Sequence, residues 1–140
     1  NDPFERLYAK ARATEGVDYV GSLPQPELAR ELRQAAILAY PSTFAETSCI
    51  AVMEALASGC RVVTTELGAL GETTDGFGSL VPTGPDMPGA FADACVAAID
   101  RAAGPGNEEE LRRQVDHMNS EVTWAMRARE WAEWVAGLPR

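Results

Sequence analysis

The run Ile37-Leu38-Ala39-Tyr40, the run Cys49-Ile50-Ala51-Val52-Met53-Glu54-Ala55-Leu56-Ala57-Ser58-Gly59, and the run Arg61-Val62-Val63-Thr64-Thr65 together decide the fold. The first and third are short and apolar or β-branched, and Pro41 and Gly59 bound them, so they read as strands. The middle run is long enough for a helix, expected over Ser48 to Ser58, with Thr47 or Ser48 as its cap and Gly59 as its stop. Strand, helix and strand at this spacing form a βαβ crossover, which implies parallel pairing.

Outward from this unit the alternation continues. Phe4 to Thr14 is expected to be helical, with Phe4, Leu7, Tyr8 and Ala11 on one face and Gly16 just beyond its end. Val17 to Val20 reads as a strand ended by Gly21-Ser22. Pro24 to Ala35 reads as a helix with Pro26 in its first turn. Downstream, Gly68 to Thr74 is a turn or short helix, Gly78 to Val81 a strand, and Pro88 to Ala103 a helix. Gly104-Pro105-Gly106 is a break. Asn107 is expected to cap a last long, kinked helical segment reaching about Ala136. The expected fold is α/β: a Rossmann-like three-layer sandwich with at least four parallel strands, covered on both faces.

Residues 1–140 are expected to be a single domain. The chain opens on a helix and lacks an initiator Met, whereas Rossmann-like domains open on a strand. At least one further strand is therefore expected upstream of Asn1. The start Asn1-Asp2-Pro3 has neither the basic nor the apolar region of a secretory signal. No stretch approaches the roughly 18–20 apolar residues of a membrane span.

The net charge of −9 argues against nucleic acid, whose binding rests on Lys and Arg facing phosphates. It argues less strongly against an anionic membrane surface. Cys49, Cys60 and Cys95 form no CxxC pair and read as reduced packing thiols, consistent with a cytoplasmic protein. His117, the single histidine, has no Cys/His cluster beside it and reads as a solvated surface residue; no metal is expected.

Chemistry concentrates between Tyr40 and Gly59. A helix N-terminus at the carboxyl end of a parallel strand is where ligands, and anions above all, bind. From Cys49 to Ala57 every residue is apolar except Glu54. A helix apolar on all sides is expected to be buried, where a carboxylate is costly unless it is hydrogen-bonded. Glu54 is then either neutralised within the protein, by a backbone N–H or by Arg61, or it accepts hydrogen bonds from a polar ligand. Glu46 and Glu54, eight residues apart, would lie about 12 Å apart along a continuous helix. Two such carboxylates can grip hydroxyls at opposite ends of an elongated ligand, with the N–H groups of Ser48, Cys49 and Ile50 facing a phosphate between them. That order fits a nucleotide-sugar. No GxGxxG or GxxxxGK[ST] loop is present.

The pattern Glu46, seven residues, Glu54-Ala55-Leu56-Ala57-Ser58-Gly59-Cys60-Arg61-Val62-Val63 resembles the signature of the retaining GT-B glycosyltransferases of family 4, the "glycosyl transferases group 1" domain. Val20-Gly21-Ser22-Leu23, Pro41-Ser42 and Gly68-Ala69-Leu70-Gly71-Glu72 are similar to the family's flanking motifs. Ser48-Cys49 departs from the Phe-Gly that usually follows the first Glu. The resemblance implies the C-terminal, donor-binding half of such an enzyme. Glu46 would be catalytic, contacting donor-sugar hydroxyls and orienting the anomeric centre. The N–H groups of Ser48, Cys49 and Ile50 would meet sugar and diphosphate, Glu54 would hold the ribose, and Gly21, Ser22 and Leu23 would lie near the base. The acceptor-binding N-terminal half, the first strand and the basic pair for the diphosphate would lie outside this chain, leaving it inactive alone. Its partners would be a nucleotide-sugar donor, an acceptor of unknown identity and that N-terminal half, in the cytoplasm or peripherally at a membrane. No cofactor is implied. A non-catalytic binding or scaffold module of the same fold is the alternative.

Gly68 to Glu72 either lines the cleft or caps a loop. Trp124, Trp131 and Trp134 fall within about 80° on a helix. They read as packing residues, some of them at an interface with the other half, rather than as a carbohydrate platform.

Overall fold

A computed structural model describes residues 2–139. The elements run α1 (Glu5–Ala13), α2 (Gln25–Gln34), β1 (Ile37–Tyr40), α3 (Ile50–Ala57), β2 (Arg61–Thr65), α4 (Leu70–Thr74), β3 (Ser79–Val81), α5 (Met87–Ala103), α6 (Asn107–Glu121) and α7 (Trp124–Ala136). The strands form a parallel sheet in the order β1-β2-β3, with Tyr40 paired to Thr64 and Thr65 to Val81.

Alternation along the strands builds the two outer layers. Leu38, Tyr40 and Val62 face one side, against Val52, Ala55, Leu56, Cys60, Leu70 and Met118, so α3, α4 and α6 cover that face. Ile37, Val63 and Val81 face the other side, against Phe91 and Ala98 of α5. This is the expected three-layer α/β sandwich with a Rossmann-like parallel sheet.

The end of α3 is built from its sequence. Gly59, at φ 89°, lets the chain reverse, and the Cys60 N–H donates to the Ala55 carbonyl while that of Gly59 donates to Leu56. Gln114 of α6 is buried and donates to the carbonyls of Leu56 (2.8 Å) and Cys60 (3.0 Å). This side chain ties α6 to the end of α3 and to the residue that opens toward β2. Cys60, whose thiol burial pushes up, donates to the Leu32 carbonyl at 2.9 Å. Cys49 and Cys60 are buried and Cys95 half-buried, all as free thiols.

Several expectations fail here. Val17–Val20 is irregular rather than a strand, and three parallel strands, not four, occur among the described residues. A strand exists through its ladder, and residues 17–20 have none; Tyr19 instead stacks on Tyr8 of α1, with Arg12 over its ring. The helix after β1 starts at Ile50, so neither Thr47 nor Ser48 caps it. Cys49 occupies the cap position with no side-chain hydrogen bond, because its thiol is turned into the core.

That helix is also not buried on all sides: Ile50 is 61% exposed and Ala51 is exposed. The last helical stretch is two helices. Thr123, extended at φ −119° and ψ 156°, caps α7 by accepting from the Met126 N–H. Asn107 is the first residue of α6, not its cap. Gly106 holds that place, and the Asn107 side chain accepts from Arg61.

No helix among the described residues is long and apolar enough to cross a membrane.

Candidate functional site

The carboxyl edge of the sheet is assembled from two loops. After β1 the chain runs through Pro41 to Cys49, and after β2 through Glu66 to Ala69. Buried threonines of β2 stitch the first loop in place. The Thr64 hydroxyl donates to the Tyr40 carbonyl (2.8 Å) and that of Thr65 to the Ser42 carbonyl (2.6 Å). The second loop then closes on Glu46, whose carbonyl accepts from the Ala69 N–H at 2.7 Å. Gly68 makes this approach possible. Its φ is 59°, and a Cβ there would sit 2.5 Å from the Glu46 carbonyl oxygen and 2.7 Å from its nitrogen.

The Glu46 side chain is half-buried and accepts from the Tyr40 hydroxyl at 2.8 Å. The Tyr40 phenol is pushed up to about 12, first by this hydrogen bond and then by burial, with the neighbouring Cys49 thiol adding to the shift. The phenol therefore stays protonated, and a donor, across the pH range in which enzymes work.

Glu54, on α3, is also half-buried and accepts from the Gln25 side-chain amide at 2.5 Å. Arg61 is not its partner. That guanidinium turns away to Asn107 and to Glu110 (2.7 Å), and holds the Glu110 carboxyl below its usual range. Neither Glu46 nor Glu54 enters an ion pair among the described residues. Each carboxylate accepts from one neutral donor through one oxygen, and its second oxygen lies outside that hydrogen bond.

Between them stands the start of α3. The N–H groups of Ile50, Ala51 and Val52 form its first turn, which has no intrahelical acceptors and no side-chain cap. Those of Ser48 and Cys49 lie in the loop just before it. Of the residues singled out in the sequence, Ser48 and Ile50 are exposed, whereas the Cys49 side chain is buried. Gly21 and Ser22 are exposed, and Leu23 is half-buried, on the segment that leads into α2 and so to Gln25.

Two cavities flank this helix. One, of about 350 Å³, is lined by Gln25, Arg33, Glu54, Ser58 and Asn119 among others. The other, of about 370 Å³, is lined by Thr47, Ser48, Glu72, Thr73 and Arg127 among others. The structure therefore brings Glu54 to one cavity and the Glu46 loop to the other. Glu46 itself and Gly21 to Leu23 line neither.

Gly68 and Ala69 brace Glu46, while Ala69 and Glu72 face the second cavity. His117 is half-exposed and pairs with Asp75 at 2.5 Å beside the Phe77 ring. The tryptophans of α7 pack into no core. Trp124, Trp131 and Trp134 are all exposed, and α7 buries no residue.

Tyr40 and Gln25, the two donors that orient the carboxylates, carry little signal in the sequence. A Tyr closing an apolar strand suggests core, and a Gln in a helix's first turn suggests surface.

Comparison with curated proteins finds no match. A family model does match, the one described as "Glycosyl transferases group 1", and it covers residues 1–101, from α1 through most of α5. Spanning the sheet, both loops and both glutamates, that match makes the chain a member of the glycosyl transferases group 1 family, a glycosyltransferase domain.

Proposed function

We propose that this chain is the donor-binding half of a retaining glycosyltransferase, which moves a sugar from a nucleotide-diphosphate sugar to an acceptor. Glu46 addresses the sugar, the N–H groups of Ser48, Cys49 and Ile50 meet sugar and diphosphate, and Glu54 holds the ribose hydroxyls. Gly21, Ser22 and Leu23 lie toward the base. The observation that carries this reading is the pair of carboxylates, each held by a neutral donor and left without a cation, on either side of an uncapped helix start. Arg61 neutralises neither carboxylate, because it pairs with Glu110. Hydroxyl donors on a sugar and a ribose satisfy the second oxygens, and the helix start favours the diphosphate between them. The reading assigns the diphosphate to N–H groups and to basic residues of the complete enzyme rather than to a metal. It assigns the acceptor to an N-terminal half of the same enzyme, at work in the cytoplasm or peripherally at a membrane.

Alone, the chain should bind nucleoside diphosphates weakly and transfer nothing. Amide NMR of the labelled chain, titrated with UDP and GDP at millimolar concentration, tests this. The expected result is a weak, unsaturated response centred on Ser48 to Val52 and Glu54. Shifts confined to other residues would contradict the site. Tight binding would mean that the diphosphate site is complete without further basic residues.

A further inference from the structure

Glu46 is held at three points, and one of them is a side chain. Its carbonyl is bound by Ala69 and its backbone is braced by Gly68, but these fix only the main chain. The carboxylate would still rotate about its own torsions without a further contact. The Tyr40 hydroxyl supplies that contact, at 2.8 Å from Oε1.

Tyr40 is well placed to be rigid. It is the last residue of β1, in register with Thr64, which also donates to its carbonyl. Its ring packs against the core cluster containing Cys49 and Val52. A phenol on a strand end cannot follow a wandering carboxylate, so the carboxylate must come to it.

We propose that Tyr40 is a positioning residue for sugar transfer: its hydroxyl fixes the Glu46 carboxylate in one orientation and leaves the second oxygen to a donor-sugar hydroxyl. This rests on the donor-site reading above. A neutral donor suits the task, because an Arg in its place would orient the carboxylate and quench its negative field together. Oriented charge matters most where charge develops, so the contribution of Tyr40 belongs to the chemical step rather than to donor capture.

The test compares Tyr40→Phe, Glu46→Ala and the double variant in the complete enzyme. The readout is nucleoside diphosphate released from UDP-glucose or GDP-mannose, whichever the unaltered enzyme consumes faster. Tyr40→Phe keeps the ring in its packing, and an unchanged melting curve verifies that. It should lower kcat roughly tenfold with donor KM little altered. In the Glu46→Ala background the same change should have almost no further effect. A full tenfold loss in that background would make Tyr40 merely structural and overturn the proposal, as would a Tyr40→Phe enzyme with normal kcat or one altered only in KM. A Glu46→Ala enzyme with normal activity would remove the donor-site reading itself and the proposal with it. A strong Glu46→Ala defect beside a silent Tyr40→Phe would remove the proposal alone.

Discussion

Glu46→Gln in the complete enzyme is expected to lower kcat on the order of 100-fold, with donor KM changed far less. The substitution preserves volume, and Tyr40 can still donate to the amide oxygen, so the loop should keep its shape. What disappears is the charge. In the transfer proposed above, positive charge would develop at the anomeric carbon as the bond to the diphosphate breaks. A carboxylate oriented toward that centre stabilises the transition state more than the ground state, so its loss appears in kcat. Steady-state kinetics with saturating acceptor measures the effect, and unchanged circular dichroism verifies the fold. A variant within a factor of about two of the parent would leave Glu46 without the role given to it.

Gly68→Ala is expected to be the most damaging single change in the loops. Alanine at φ 59° is strained, and its Cβ would stand 2.5 Å from the Glu46 carbonyl oxygen and 2.8 Å from the Ala45 carbonyl carbon. Both are backbone atoms, so no side-chain rotation relieves the collision. One of the two loops must move, and the Ala69 to Glu46 hydrogen bond is lost with it. Strain and overpacking together should destabilise the chain by roughly 3 kcal/mol. Thermal unfolding should then fall by about 10 °C. Gly84→Ala is a useful contrast, because a Cβ there meets no atom within 4 Å and the effect should be limited to backbone strain. If Gly68→Ala melts with the parent, the loops are looser than their contacts indicate and Glu46 is not braced by them.

Much of this architecture is legible in the sequence, and the failures are informative. The strands Ile37–Tyr40 and Arg61–Thr65 emerge with the expected bounds, because Pro41 and Gly59 interrupt unmistakable apolar or β-branched runs. Val17–Val20 looks equally strand-like, yet a ladder depends on a partner distant in sequence, and local composition carries no information about it. The start of α3 lies beyond the expected cap for a related reason. Thr47 and Ser48 are good caps in isolation, but the Glu46 carbonyl is already bound to Ala69 and the Cys49 thiol to the core, and these tertiary contacts hold the chain extended for two more residues. The break at Thr123 was available as a cap-type residue, but continuous helical periodicity on both sides concealed it. At the site, both glutamates could be found from spacing and context. Their orienting partners, Tyr40 and Gln25, could not. Gln25 lies 29 residues from Glu54 in the chain, and only the packing of α2 on α3 joins them.

On the proposed reading, Glu46 and Glu54 grip opposite ends of one donor. The most direct measurement is the pair of donor KM and kcat values for Glu54→Gln set beside those for Glu46→Gln. On that reading Glu54→Gln would remove a charge-assisted bond to the ribose, worth roughly 1.5–3 kcal/mol, far from the bond that breaks. It should therefore raise donor KM at least about tenfold and spare kcat, the opposite split from Glu46→Gln. Near-normal kcat/KM for both variants would contradict the donor site; a reversed split would keep the site and exchange the two ends of the ligand.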